Sequence, residues 1–281
     1  MNLKFILNDY ILMWNLLFQR SITKEIQSLK QKLWKSYRHH YQALQNEENT
    51  ILKYAEDYIP DNDAIFEMVK SSECYQDIRN NTEKYRNGFV KSWDTYQKEI
   101  LANLKDILKI ELKTYNIYLV DPRLNIVKTK SIIGKDKTVN VIIWGRTKDL
   151  IDYQKALLDI LHHILKREIA SYEKEYMDIA EAIIELAIDN ELATRLLGHS
   201  VYLRGNHELN FLKRQIYPYW LMYLGYSKEE MRHYMVRDSL SFDLDKYPYE
   251  RELKRFDLYK FIAFCIRNQK YILKINELEI I

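Results

Sequence analysis

Between Gly145 and Gly198 the chain contains neither glycine nor proline. An interval that long without a backbone breaker is committed to helix unless polarity unravels it, and here the apolar residues recur at helical spacing. They fall first at Ile151, Leu157, Leu158, Leu161, Ile164 and Leu165, then at Ile179, Ile183, Ile184, Leu186, Ala187 and Leu192. Just ahead, residues 137–144 (Lys-Thr-Val-Asn-Val-Ile-Ile-Trp) are β-branched and alternating, which predicts a half-buried strand. His162 and His163 interrupt the first apolar helix, and Glu181 and Glu185 stand one turn apart on the second. Imidazoles and carboxylates on core-facing helices need partners, because burying them alone is costly. A bound metal would serve, and so would an opposite charge such as Lys166 or Arg195. One unbroken helix over 147–197 would hold His162 and Glu181 about 28 Å apart at 1.5 Å per residue. A bend near Arg167–Tyr176 would bring them together.

With only 6 Gly and 4 Pro in 281 residues, helix is favoured over turn-rich β architecture. The pattern predicts helices over 3–19, 23–57, 64–72 and 83–113, with a turn at Pro60. Short strands follow at 116–120, 124–127 and 139–144, in a small antiparallel sheet. After Gly198 a polar stretch leads to a dense apolar helix kinked or started at Pro218. Ser227-Lys228-Glu229-Glu230 reads as a capping box, and a last helix starts near Pro248. The expected fold is mostly α-helical α+β. A helical region (1–114) precedes the sheet and two central helices (115–200) and a helical C-terminal part (201–281), all in one composite domain.

A formal charge of +3 gives no strong footprint for nucleic acid. Residues 35–41 (Lys-Ser-Tyr-Arg-His-His-Tyr) mix bases and aromatics as single-strand binders do, but the tyrosines fall on the apolar stripe, so a solvated face is the better reading. The apolar N-terminus is interrupted by Asn8 and Asp9 and is too short to span a bilayer, so no membrane is expected and the location is read as cytoplasmic. Cys74 and Cys265 fit no ligand or redox spacing and read as reduced structural thiols.

One arrangement invites comparison with a known family. In an HExxH helix two histidines four apart bind zinc and the Glu after the first activates water. Leu157-Leu158-Asp159-Ile160-Leu161-His162 occupies that frame, and a helix carrying Glu181 follows after 18 intervening residues. Over residues 137–195 the chain resembles the gluzincin zinc metallopeptidases, which combine an edge strand, an HExxH helix and a following helix with a Glu ligand. The resemblance implies His162 and Glu181 as zinc ligands, Asp159 as a shortened general base and a peptide or protein as substrate or partner. The departure is that Leu158 stands where the first histidine belongs and Asp159 where the Glu belongs. A scaffold that has lost its metal therefore stands beside a working peptidase, and a non-enzymatic helical binding protein stands as the alternative.

Asp159 and His163 are also four apart and could share an ion with Glu181 or Glu185. Gly205-Asn206-His207-Glu208 looks like an element of the calcineurin-type metallophosphatases. The upstream Asp-x-His and Gly-Asp pair of that family are absent, so it reads as a chance match. Tyr202 and His207 could still line a cleft near the central helices.

Overall fold

The computed structural model describes residues 2–60, 63–133, 138–169, 176–198, 205–237 and 250–273. The protein is mostly helical with one small sheet. It divides into two compact units, residues 1–95 with 112–156, and residues 96–111 with 157–281. Among the described residues no helix is long and apolar enough to cross a membrane.

The first unit holds the sheet. Strands β1 (Leu3–Ile6), β2 (Tyr115–Leu119), β3 (Ile126–Ile133) and β4 (Thr138–Gly145) lie in the order β1-β2-β4-β3. The expected antiparallel sheet is corrected to a mixed one. β1 pairs parallel with β2 and β2 parallel with β4, while only β3 and β4 form an antiparallel hairpin. Parallel neighbours need a long crossover, and here the helices between residues 9 and 108 supply it for β1 and β2. The expected return of residues 124–127 onto 116–120 does not occur. Pro122–Leu124 forms a 3-10 turn closed by Asn125 at φ 52°, and the strand that follows pairs with β4 instead.

The helix expected over 3–19 also divides. Leu3 and Phe5 are buried and Lys4 exposed, the alternation of a strand, and the Asn8 side chain then accepts from the Ile11 amide to cap helix α1 (Asp9–Phe18). Phe5 stacks on Phe89 at a ring separation of 5.2 Å, and the Arg86 guanidinium donates to the Phe5 carbonyl on the strand. Helices α2 (Lys24–Gln45), α3 (Glu48–Tyr54) and α4 (Asp63–Lys70) follow, α2 having non-helical backbone at Tyr37. Of the stripe that helical spacing predicts, Ile26, Leu29, Leu33, Tyr41 and Leu44 are buried while Ile22 and Tyr37 are half-buried, and Thr23 caps the start. Helix α5 (Glu73–Leu108) starts ten residues before the expected 83, because the polar segment preceding it is helical as well. Trp144 at the end of β4 and Tyr85 on α5 both donate to the carboxylate of buried Asp149, at 2.6 and 2.5 Å.

The second unit holds the central helices and the C-terminal part. Helix α6 (Tyr153–Glu168) enters it at Leu157, and α7 (Met177–Glu185) runs into a π-helical segment, Leu186–Leu192, and then α8 (Ala193–Leu197), which Gly198 ends at φ +69°. Helix α9 (Asn210–Leu224) begins eight residues before Pro218, where the sequence suggested a start or kink, continues through it and ends at Gly225 in the left-handed region. The capping box is present. Ser227 Oγ accepts from the Glu230 amide and the Glu230 carboxylate accepts from the Ser227 amide, opening α10 (Lys228–Arg237). Pro248 lies outside the described residues. The last long helix, α11 (Leu258–Arg267), is capped by Asp257 and followed by α12 (Gln269–Ile272). Trp220 stacks on Tyr223 at a ring separation of 5.0 Å, Phe261 of α11 packs against both, edge-on to Trp220 and tilted to Tyr223, and the Tyr223 hydroxyl donates to the Ile107 carbonyl at 2.6 Å. Cys265 is free and buried, and burial pushes its thiol up; Cys74 is free and half-buried.

Candidate functional site

Over residues 157–169 and 176–197, α6 and α7 form an antiparallel helix pair. Its apolar stripes, Leu157, Leu158, Leu161, Ile164 and Leu165 on α6 and Ile179, Ile183 and Ile184 on α7, are all buried. The two helices run in opposite directions, since Lys166 pairs with Glu181 and His162, one turn earlier, pairs with Asp189, two turns later. The fold-back that the metal reading requires is therefore present. What it brings together differs in detail from the expected set.

His162 meets Asp189, with Nδ1 and Oδ2 2.7 Å apart and side chains 20% and 17% exposed. Burial alone pulls the imidazole down. The hydrogen bond and charge of Asp189, backed by the fields of Glu185 and Glu181, outweigh it, and the net movement is upward from the ordinary histidine value. Glu181 is half-buried and accepts from Lys166 Nζ at 2.6 Å. Glu185 is almost wholly enclosed. Its Oε2 takes the Lys213 ammonium at 2.6 Å, with side chains 3% and 0% exposed, and its Oε1 accepts the Asn206 amide at 2.9 Å. Gly205 packs directly on that carboxylate, where a Cβ would come within 2.4 Å of Oε2 at a backbone φ of +99°.

The remaining expected residues are placed as follows. Leu158 is buried and contributes only hydrocarbon where a first ligand would be needed. Asp159 and His163 are half-buried, and neither is without a partner. His207 is exposed in the 3-10 turn His207–Leu209 that leads into α9. Tyr202 lies outside the described residues. The Gly205–Glu208 element has a local explanation, in that Gly205 and Asn206 seat Glu185 while the Asn206 side chain caps the turn by accepting from the Glu208 amide.

These groups can be tested against a zinc ion. A catalytic zinc needs three protein donors aimed at one point. Here both Glu185 oxygens are engaged by Lys213 and Asn206 and an oxygen of Glu181 by Lys166, while the Nδ1–Asp189 contact of His162 is one that a metal-bound histidine also makes. Among the described residues no group of three or more His, Cys, Asp or Glu is placed to hold a metal ion. The donor set as arranged does not suit a catalytic zinc.

Asp189, Lys213 and Asn206 were not among the expected site residues, and two of them had a signal. Asp189 lies four residues past Glu185, continuing the Glu181–Glu185 ridge by one more turn. Lys213 sits four residues past Leu209 and three before Ile216, both buried, so it interrupts an apolar stripe much as His162 does. Further along, Arg195 reaches Glu191 at 2.8 Å and Asp106 at 2.6 Å, not Glu181 or Glu185.

Comparison with known proteins finds no matching family model, no matching curated protein and no matching solved structure.

Proposed function

We propose that this chain carries a zincin-like helical hairpin in which fixed ion pairs stand where a metal centre would be, and that it acts as a non-catalytic, protein-binding scaffold. The observation that supports this most directly is Lys213. Its ammonium, 0% exposed, lies against Glu185, the acid that the Asp159–His163 frame offered to a metal, one turn from the Glu181 that the peptidase resemblance would make a ligand. A buried cation already in place neutralises that acid, so the ridge needs no divalent ion to be stable. Leu158 reinforces the reading, since an aliphatic side chain at the first ligand position gives zinc nothing to bind.

Metal analysis of the purified, zinc-refilled protein tests it. The scaffold reading expects well under one zinc per chain, a melting temperature unchanged by chelator and no cleavage of a mixed peptide library. One tightly held zinc per chain, lost in His162→Ala together with peptide cleavage, would overturn it.

A further inference from the structure

A separate observation, on the first unit and independent of the hairpin, concerns the outer face of α2. We propose that this face is a docking surface for an acidic, helical segment of a partner protein. From Ile26 to Asn46 the sequence contains no Asp or Glu, although the whole chain is nearly balanced at 43 basic and 40 acidic residues. The inner side of α2 is committed to the core through Ile26, Leu29, Leu33, Tyr41 and Leu44. Its outer side presents Lys32, Trp34, Lys35, Arg38 and His39, all exposed.

Two features separate this face from an ordinary solvated one. Several cations elsewhere in the same unit sit on carboxylates: Arg79 on Asp9, Arg123 on Asp121, and Lys128 and Lys130 on Glu48. Among the described residues no carboxylate pairs with Lys32, Lys35 or Arg38. The second feature is Trp34, 40% exposed at the edge of the basic face, with the Arg38 guanidinium over its ring at 5.3 Å and Tyr41 edge-on at 5.9 Å. The tryptophan is held in one position by its neighbours, so little side-chain freedom is lost when a partner covers it.

The geometry favours an acidic helix over a nucleic-acid strand. Single strands are read on a series of aromatic faces, one per base. Here Arg38 already covers the Trp34 ring. Tyr41 is turned inward with its hydroxyl on the Leu17 carbonyl, and Tyr37 is half-buried. No platform for successive bases is left. An exposed Trp–Arg pair beside lysines is instead the residue set that protein hot spots favour. Lys32 and Lys35 lie one turn apart before the backbone irregularity at Tyr37, with Arg38 just past it. A partner helix with acids three apart repeats at the same rise and can meet Lys32 and Lys35 in register.

The test uses the full-length protein and a fluorescent 18-residue probe helix with Glu at i, i+3 and i+4 positions around one leucine. Its counterparts are the same peptide with Gln for Glu and an 18-nucleotide oligothymidylate. The wild-type chain should bind the Glu peptide at least tenfold more tightly than the Gln peptide or the oligonucleotide. Lys32→Glu/Lys35→Glu/Arg38→Glu should weaken the Glu peptide tenfold or more, and Trp34→Ala at least fivefold. Lys84→Glu/Lys91→Glu, which reverses two exposed charges on α5, should leave binding unchanged. Circular dichroism confirms that each variant folds. The proposal is overturned by tighter binding of the oligonucleotide, which assigns the face to nucleic acid. It is equally overturned by Trp34→Ala binding like wild type, or by the α5 reversal weakening binding as much as the α2 reversal.

Discussion

Replacing Lys213 by Met is the most direct probe of how the central hairpin is held. The substitution keeps most of the side chain's length and apolar stem, so packing changes little and the lost charge dominates. In the wild type the ammonium is 0% exposed and 2.6 Å from Glu185, itself 3% exposed. Once it is gone, Glu185 keeps, among the described residues, the Asn206 amide at 2.9 Å as its close donor. Removing one member of a buried pair costs about 3–5 kcal/mol, because the other charge stays behind in a poorly polarisable interior. In a unit of this size each kcal/mol lowers the melting temperature by about 2–4 °C, so the expected loss is about 6–20 °C. Differential scanning calorimetry measures it directly. Glu185→Leu should cost a comparable amount alone. The double variant Lys213→Met/Glu185→Leu should melt closer to wild type than either single one, because no unpaired charge remains and the exposed Asn206 amide can turn to water. If Lys213→Met melts within about 2 °C of wild type, or if the two single losses simply add in the double variant, the pair is not a coupled buried charge and the reasoning fails.

Three further outcomes are expected. His162 gains its stabilising contacts as imidazolium and its folded-state value lies above the unfolded one, so its contribution is complete below the unfolded value and fades as pH rises through the folded value. His162→Gln should therefore cost about 1.5–3 kcal/mol near pH 5.5, the range for hydrogen bonds to charged groups, and distinctly less near pH 9; equal losses in urea titrations at both values would contradict this. Gly88→Ala would normally favour a helix interior, but a Cβ there would lie 2.2 Å from the Tyr153 ring. A loss of about 1–3 kcal/mol is expected, partly recovered when Tyr153→Leu is added, and a gain in stability would contradict the packing. Tyr85→Phe removes the hydroxyl that donates to Asp149 and accepts the Arg146 amide, and should cost about 1.5–3 kcal/mol with restricted exchange at that amide lost.

Local signals in the sequence translated well into structure. The stripe on α2, the Ser227 box, Gly198 and Gly225 as helix ends and the Lys166–Glu181 pair all depend on neighbours within a few turns or on one helix facing the next. The sheet was harder to read because its order is set by non-local pairing. Leu3–Ile6 is four residues long, and nothing nearby reveals that its partner is Tyr115–Tyr118, more than a hundred residues away. The helical reading of 3–19 missed the break that Asn8 makes, although an Asn before an apolar run is a capping signal. At the candidate site the acids and His162 were legible, but the identity of their partners was not. Lys213 arrives from a different helix, and periodicity on one helix says nothing about what the next one inserts.

Metal centres and ion-pair lattices draw on the same residues, so they look alike in one dimension and differ in the direction of their side chains. In a metal site several donors converge and their mutual repulsion is relieved by one multivalent cation. Along the ridge of α7 and the π segment, each acid has its own basic partner instead: Glu181 has Lys166, Glu185 has Lys213, Asp189 has His162 and Glu191 has Arg195, which also takes Asp106. Those separate partners keep the acids engaged at four points. The π-helical stretch belongs to the same arrangement, since the Asn190 side chain donates to the Glu185 carbonyl at 2.8 Å where the helical ladder changes register. Converting such a lattice into a metal site would require more than restoring His at 158 and Glu at 159. The Lys213 ammonium would also have to leave, because a divalent ion beside it would face a buried like charge. Leu158→His/Asp159→Glu should therefore remain without zinc, whereas adding Lys213→Ala should raise zinc affinity and let zinc recover part of the stability lost with the lysine. If the histidine and glutamate alone recruit a full equivalent of zinc, the ridge was convergent all along.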